Sequence, residues 1–102
     1  MPKGYWIGRV DVSDADAYRK YVVANAEPFA RFGAKFLIRG GRFECVEGDA
    51  RERNVVIEFP SFEAARACYE DPAYQRAKPQ RAGASEGYNI VIQGYDGPQP
   101  GD

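Results

Sequence analysis

The hydrophobic period of this chain switches from two to 3.6 and back, twice over, and that rhythm admits few folds. Tyr5-Trp6-Ile7-Gly8-Arg9-Val10-Asp11-Val12 is rich in β-branched and aromatic residues and reads as a strand. Ser13 then opens a helix, with Asp16 in the first turn where the helix dipole favours negative charge. Ala15, Tyr18, Val22, Asn25, Phe29 and Phe32 recur at helical spacing as its inner stripe. Pro28 should kink or restart this helix, and Gly33 should stop it.

Lys35-Phe36-Leu37-Ile38-Arg39 and Arg42-Phe43-Glu44-Cys45-Val46-Glu47 are extended runs on either side of Gly40-Gly41. One long strand bulged at the glycines is the preferred reading; a tight hairpin competes with it. A charged loop over 48–53 leads to a third strand over 54–60. Ser61 caps a second helix through about Glu70, and Asp71-Pro72 starts a short helical piece running toward Arg81. After a loop over 83–87, the last strand spans 88–95. The order is β-α-β-β-α-β, the α+β ferredoxin-like plan, with an antiparallel sheet and both helices on one face. It predicts one domain over residues 1–95 and a flexible tail over 96–102.

Alternation then sorts the strand residues by face. Trp6, Val10, Val55, Ile57, Phe59, Ile90 and Ile92 are expected beneath the helices. Tyr5, Ile7, Arg9, Asp11, Val56, Glu58, Asn89, Val91, Gln93 and Tyr95 are expected on the other side. That second face is too apolar for a solvated surface and too polar for a core, and it fits a self-associating sheet. A chain of 102 residues can fold alone, but it gains from such cover.

Composition narrows the chemistry. The chain has no histidine, which removes histidine-based acid–base catalysis, Ser-His-Asp triads and nearly all histidine-containing metal sites. A net charge of -1 offers no electrostatic footprint for nucleic acid or an anionic membrane. There is no apolar run long enough to span a bilayer and no secretory leader pattern, so the expected location is cytoplasmic. Cys45 and Cys68 read as free, small, buried hydrophobes, on a strand and on the second helix respectively. No metal and no cofactor are expected.

Several segments together resemble the domain-of-unknown-function family 1330. They are the opening Gly4 to Val12, the central Phe36-Leu37-Ile38-Arg39-Gly40-Gly41, and Val56-Ile57-Glu58-Phe59-Pro60-Ser61. Ala64-Ala65, Tyr69, Tyr74-Gln75 and Arg81 continue the match, which covers residues 3–95. The resemblance implies a dimeric α/β barrel, in which two ferredoxin-like sheets pack face to face. It carries no reaction with it.

The residues themselves offer a candidate site. Glu58 is the only plausible strand-borne base on the mixed face, and Arg9 should lie beside it as an ion-pair partner or as the polar floor of a pocket. Arg39, next to two glycines, can clamp a carboxylate, or it can simply point outward from a bulge. Tyr74 and Arg81 should line the rim. Two functions fit this arrangement. One is a small-molecule site inside a homodimer, with catalytic Glu58 and ligand-binding Arg9, Arg39, Tyr74 and Arg81. It would act without a cofactor on a small acidic or carbonyl-bearing compound. The other is a non-catalytic binding or interaction module whose mixed face is only a dimer interface.

Overall fold

The structure, a computed structural model, describes residues 2–102. The elements run β1 (Gly4–Val12), α1 (Ala15–Arg31), β2 (Lys35–Arg39), β3 (Arg53–Phe59), α2 (Phe62–Glu70), α3 (Pro72–Ala77), a 3-10 turn (Lys78–Arg81) and β4 (Ser85–Gln93). The strands form one antiparallel sheet in the order β2-β3-β1-β4. This is the ferredoxin-like β-α-β-β-α-β arrangement, with the helices packed on one face and β1 at the centre.

Local chemistry explains most element ends. Asp14, rather than Ser13, caps α1 by accepting from the Ala17 N–H, because Ser13 is committed elsewhere. The Ser13 N–H and hydroxyl both donate to the Ala84 carbonyl, which pins the loop before β4 to the end of β1. Pro28 does not break α1: it forgoes its own bond to the preceding turn, but its ring is fully buried in the core and its carbonyl accepts from the Phe32 N–H. Gly33 follows with φ +74, the left-handed conformation that stops a helix. Ser61 caps α2 through the Ala64 N–H.

Asp71 has three tasks at one corner. It caps α3 by accepting from the Ala73 N–H, precedes Pro72 at the first helical position, and takes both arms of the Arg31 guanidinium at 3.0 and 2.7 Å. The Arg31 bonds hold the Asp71 carboxyl below the usual carboxylate value. A lowered folded-state value means the stabilisation is present above the ordinary carboxylate range and is lost as pH falls through that lowered value. Asp71→Asn should therefore unfold at a lower temperature than the wild type at neutral pH. The gap should close on strong acidification, which melting curves across pH will read.

The core is an aromatic cluster. Trp6 on β1 meets Tyr74, Phe29, Phe59 and Tyr69 with ring centroids 5.0 to 5.9 Å apart, mostly edge to face. Its indole N–H donates to the Ala65 carbonyl at 2.8 Å, so the ring is buried with its one donor satisfied.

Three sequence expectations are corrected here. The run after Gly40 is neither a continued strand nor a tight hairpin: β2 stops at Arg39, and residues 41–52 are irregular. Gly40 turns with φ +64 while its N–H donates to the Asn54 carbonyl, and this ends the pairing. The bulge falls earlier, between Phe36 and Ile38. Cys45 consequently lies exposed in the loop, although Cys68 is buried as expected. Burial pushes the Cys68 thiol up to about 12, which leaves it unreactive.

The third correction concerns β4. Its register pairs Trp6 with Val91 and Ile7 with Ile90, so Val91 packs on the helix side. Ile90 and Ile92 occupy the open face, 45% and 44% exposed. Asn89, opposite Gly8, faces the helices.

Candidate functional site

A cavity of about 480 Å³ lies between the helix layer and the sheet. Gly8, Val10, Val55 and Asn89 contribute from the strands, and Tyr18, Tyr21 and Asn25 from α1. Arg39 from the end of β2, Arg53 from the start of β3 and Arg81 from the 3-10 turn also line it. Its size and mixed lining are those of a small-molecule site.

The three arginines share a surrounding. Each guanidinium lies over an aromatic ring: Arg39 over Phe36 at 4.0 Å, Arg53 over Tyr18 at 5.7 Å and Arg81 over Tyr21 at 5.2 Å. Among the described residues, the ion pairs join Arg19, Arg31, Arg51 and Arg66 to carboxylates, and none involves Arg39, Arg53 or Arg81. The cavity's one acidic neighbour, Glu70, is paired with Arg66. The Nε of Arg53 is buried without a hydrogen-bond partner among the described residues. Positive charge in the cavity is therefore held by rings and phenols rather than neutralised by carboxylates: Arg53 also hydrogen-bonds Tyr18, Arg81 hydrogen-bonds Tyr74 and Tyr21, and the Nε of Arg53 is the donor left open among the described residues.

Gly40 makes room for this. A side chain there would put a Cβ 2.8 Å from Nη1 of Arg53, so the guanidinium passes over a position that only glycine leaves open. Behind the cavity, the buried Tyr21 and Tyr74 hydroxyls share a 2.7 Å hydrogen bond. Burial, and then Tyr21, push the Tyr74 phenol far above its ordinary value, so it stays protonated. The Tyr18 phenol is raised too, by burial first, while Arg53 and Arg81 pull against the shift. Tyr18 is thus a neutral phenol between two guanidiniums, able to donate a hydrogen bond.

The five residues singled out from the sequence divide between the two sides of the sheet. Arg39 and Arg81 line the cavity, and Tyr74 lies behind it against Tyr21. Arg9 and Glu58 are on the open face, so the expectation of one cavity holding Glu58 and Arg39 is overturned. The reason is the bulge in β2. Lys35 pairs with Glu58, and simple alternation would bring Arg39 to that same face. One inserted residue between Phe36 and Ile38 reverses the phase, and Arg39 comes to lie opposite Val55 beneath the helices.

The expected Arg9–Glu58 ion pair is also absent. Arg9 donates to the Asn54 side chain at 3.1 Å and to the Tyr88 hydroxyl at 3.2 Å, whereas Glu58 accepts from the Tyr5 hydroxyl at 3.1 Å. Register explains it: Arg9 stands opposite Asn54 and Tyr88, and Glu58 opposite Tyr5. Sequence reasoning missed Arg53 and Gly8. Arg53 reads as part of a charged loop, and its role emerges only where Gly40 turns beside it.

The arrangement has known counterparts. A protein of unknown function from Rhodopseudomonas palustris superimposes with a TM-score of 0.74 at 19% identity, over 94% of this chain and 85% of that one. SnoaB, a cofactor-independent oxygenase from Streptomyces nogalater, matches with a TM-score of 0.62 at 13% identity over 100% of both chains. A dimeric ferredoxin-like protein of unknown function from Thermobifida fusca matches with a TM-score of 0.57 at 15% identity, over 90% of this chain and 89% of that one. At these identities the likeness is one of fold. No functionally curated protein matches the chain. The family model for a domain of unknown function, DUF1330, matches residues 3–95, and the chain therefore belongs to that family.

Proposed function

We propose that this protein binds a small organic anion in the cavity between the helices and the sheet. The observation that carries this reading is the set Arg39, Arg53 and Arg81, each lying over an aromatic ring, none in an ion pair among the described residues, and all lining one cavity. Guanidinium forks and neutral phenols together recognise a carboxylate or an acidic carbonyl compound. The fold is shared with SnoaB, a cofactor-independent oxygenase, and a reaction on the bound anion without a cofactor is the enzymatic form of this proposal. Binding without turnover is its alternative, since fold alone does not choose.

Calorimetric titration with benzoate and with butyrate tests it. The wild type should bind, and Arg53→Met should weaken both ligands by about 1.5–3 kcal/mol, the worth of a charged hydrogen bond, or roughly tenfold and more. Absence of binding by the wild type, or equal binding by the variant, overturns the proposal.

A second copy of the chain is proposed to cover the open face. Ile38, Tyr88, Ile90 and Ile92 are each 44–50% exposed there, interleaved with Arg9 and Glu58, whose hydrogen bonds stay within the face. The Thermobifida fusca protein of the same fold is dimeric. Arg9 and Glu58 are then polar members of the interface rather than of the ligand site.

A further inference from the structure

We infer that Gly8 is a specificity residue, and that the anion the cavity takes is a flat, ring-bearing one. This rests on the anion-site reading above and deepens it. Gly8 sits mid-way along β1, the central strand, where glycine weakens pairing and a β-branched residue would serve the sheet better. The other glycines within strands, Gly4 and Gly87, have local reasons, as do several in turns. A Cβ at Gly4 would strike the Ser61–Phe62 backbone, one at Gly87 the Arg9–Val10 backbone, and Gly33, Gly40, Gly48 and Gly83 have positive φ.

Gly8 has neither reason. Its φ is ordinary, and an added Cβ would find within 4 Å only the Asn89 side-chain amide, at 3.8 Å. The fold tolerates a side chain there, and what the side chain would occupy is the cavity.

The geometry of the gap sets the ligand's shape. Trp6, Gly8 and Val10 form one row on the helix face of β1, and Gly8 is flanked by Val55 on β3 and Asn89 on β4. Removing one side chain from the middle of such a row leaves a shallow slot on the bare backbone. The slot is about 13 Å long between the Trp6 and Val10 Cα atoms, with neighbouring strands about 4.8 Å away on each side. A flat ring fits a slot of that shape, with the Tyr18 and Tyr21 rings facing it from α1 and the arginines taking its charged substituent. The Asn89 amide, at the slot's edge, offers a hydrogen bond to a polar group on the ring.

The test compares 2-naphthoate with butyrate on wild type, Gly8→Ala and Gly8→Val, by calorimetry and thermal unfolding. The wild type should prefer naphthoate. Gly8→Val should lose about tenfold or more of naphthoate affinity, as a filled site does. Gly8→Ala should fall between, and both variants should melt at or above the wild-type temperature. Naphthoate binding unchanged in both variants, or a wild type that binds butyrate but not naphthoate, overturns the role of Gly8 while leaving the anion site standing. Variants that melt several degrees lower make Gly8 a structural residue and also overturn it. A wild type that binds neither acid removes the anion site, and this inference with it.

Discussion

Replacing Tyr74 by alanine is expected to remove about 3–5 kcal/mol of folding stability, the range for deleting a buried aromatic side chain. Tyr74 is fully buried, and its ring lies 5.0 Å from Trp6, 5.4 Å from Tyr69 and 6.1 Å from both Phe29 and Tyr21. It is also the side chain by which the six-residue α3 enters the core. So short a helix has almost no stability of its own and depends on that docking. Truncation leaves a void that surrounding rings cannot fill without leaving their edge-to-face geometry, and it removes the partner of the buried Tyr21 hydroxyl. Small domains hold only about 5–15 kcal/mol in total, so Tyr74→Ala should be largely unfolded at modest urea concentrations. Tyr74→Phe keeps the ring but leaves the buried Tyr21 hydroxyl without this partner, and should lose less, about 1–3 kcal/mol. Urea unfolding followed by circular dichroism separates the two; equal losses would mean that the hydroxyl pair, not the ring packing, dominates.

Ile90→Lys is expected to convert the protein from a dimer to a monomer. At micromolar concentration the wild type should sediment at about twice the 11.4 kDa chain mass, and the variant at the mass of one chain. Ile90 stands opposite Ile7 on the open face, on the edge strand β4. In a free chain a lysine there is solvated and nearly neutral in energy, and edge lysines are a common natural device against association. Buried against a second sheet, the same ammonium loses its water without a partner and costs several kcal/mol. A wild type that sediments as one chain, or a variant that stays dimeric, would sink the two-sheet arrangement. The helix-side cavity is on the opposite face of the same sheet, so this result bears on assembly and not directly on ligand binding.

Much of the fold was legible in the sequence because its signals are local. The change of hydrophobic period, the Ser61 cap, the Gly33 stop and the Asp71-Pro72 restart each depend on residues within a turn or two of one another. They determined the element order, and with it the ferredoxin-like topology. The aromatic wealth of the chain likewise anticipated the core, since Trp6, Phe29 and Phe59 recur at the expected phases.

What only the tertiary structure decided is which side chains share a space. Side-chain direction in a strand has a period of two, so one residue of slippage reverses every later assignment. The β2 bulge did this to Arg39, moving it away from Glu58, and the β4 register did it to Ile90, Val91 and Ile92. No local signal marks either event, because both are set by pairing with residues distant in sequence. Arg53 became part of the cavity only through the turn at Gly40, and Gly8 became a floor only once α1 was laid above β1. Local propensity chose the elements. Register and a single inserted residue chose which side chains line the cavity, because hydrogen-bond ladders between distant segments, rather than the residues' own preferences, determine which face each strand side chain takes.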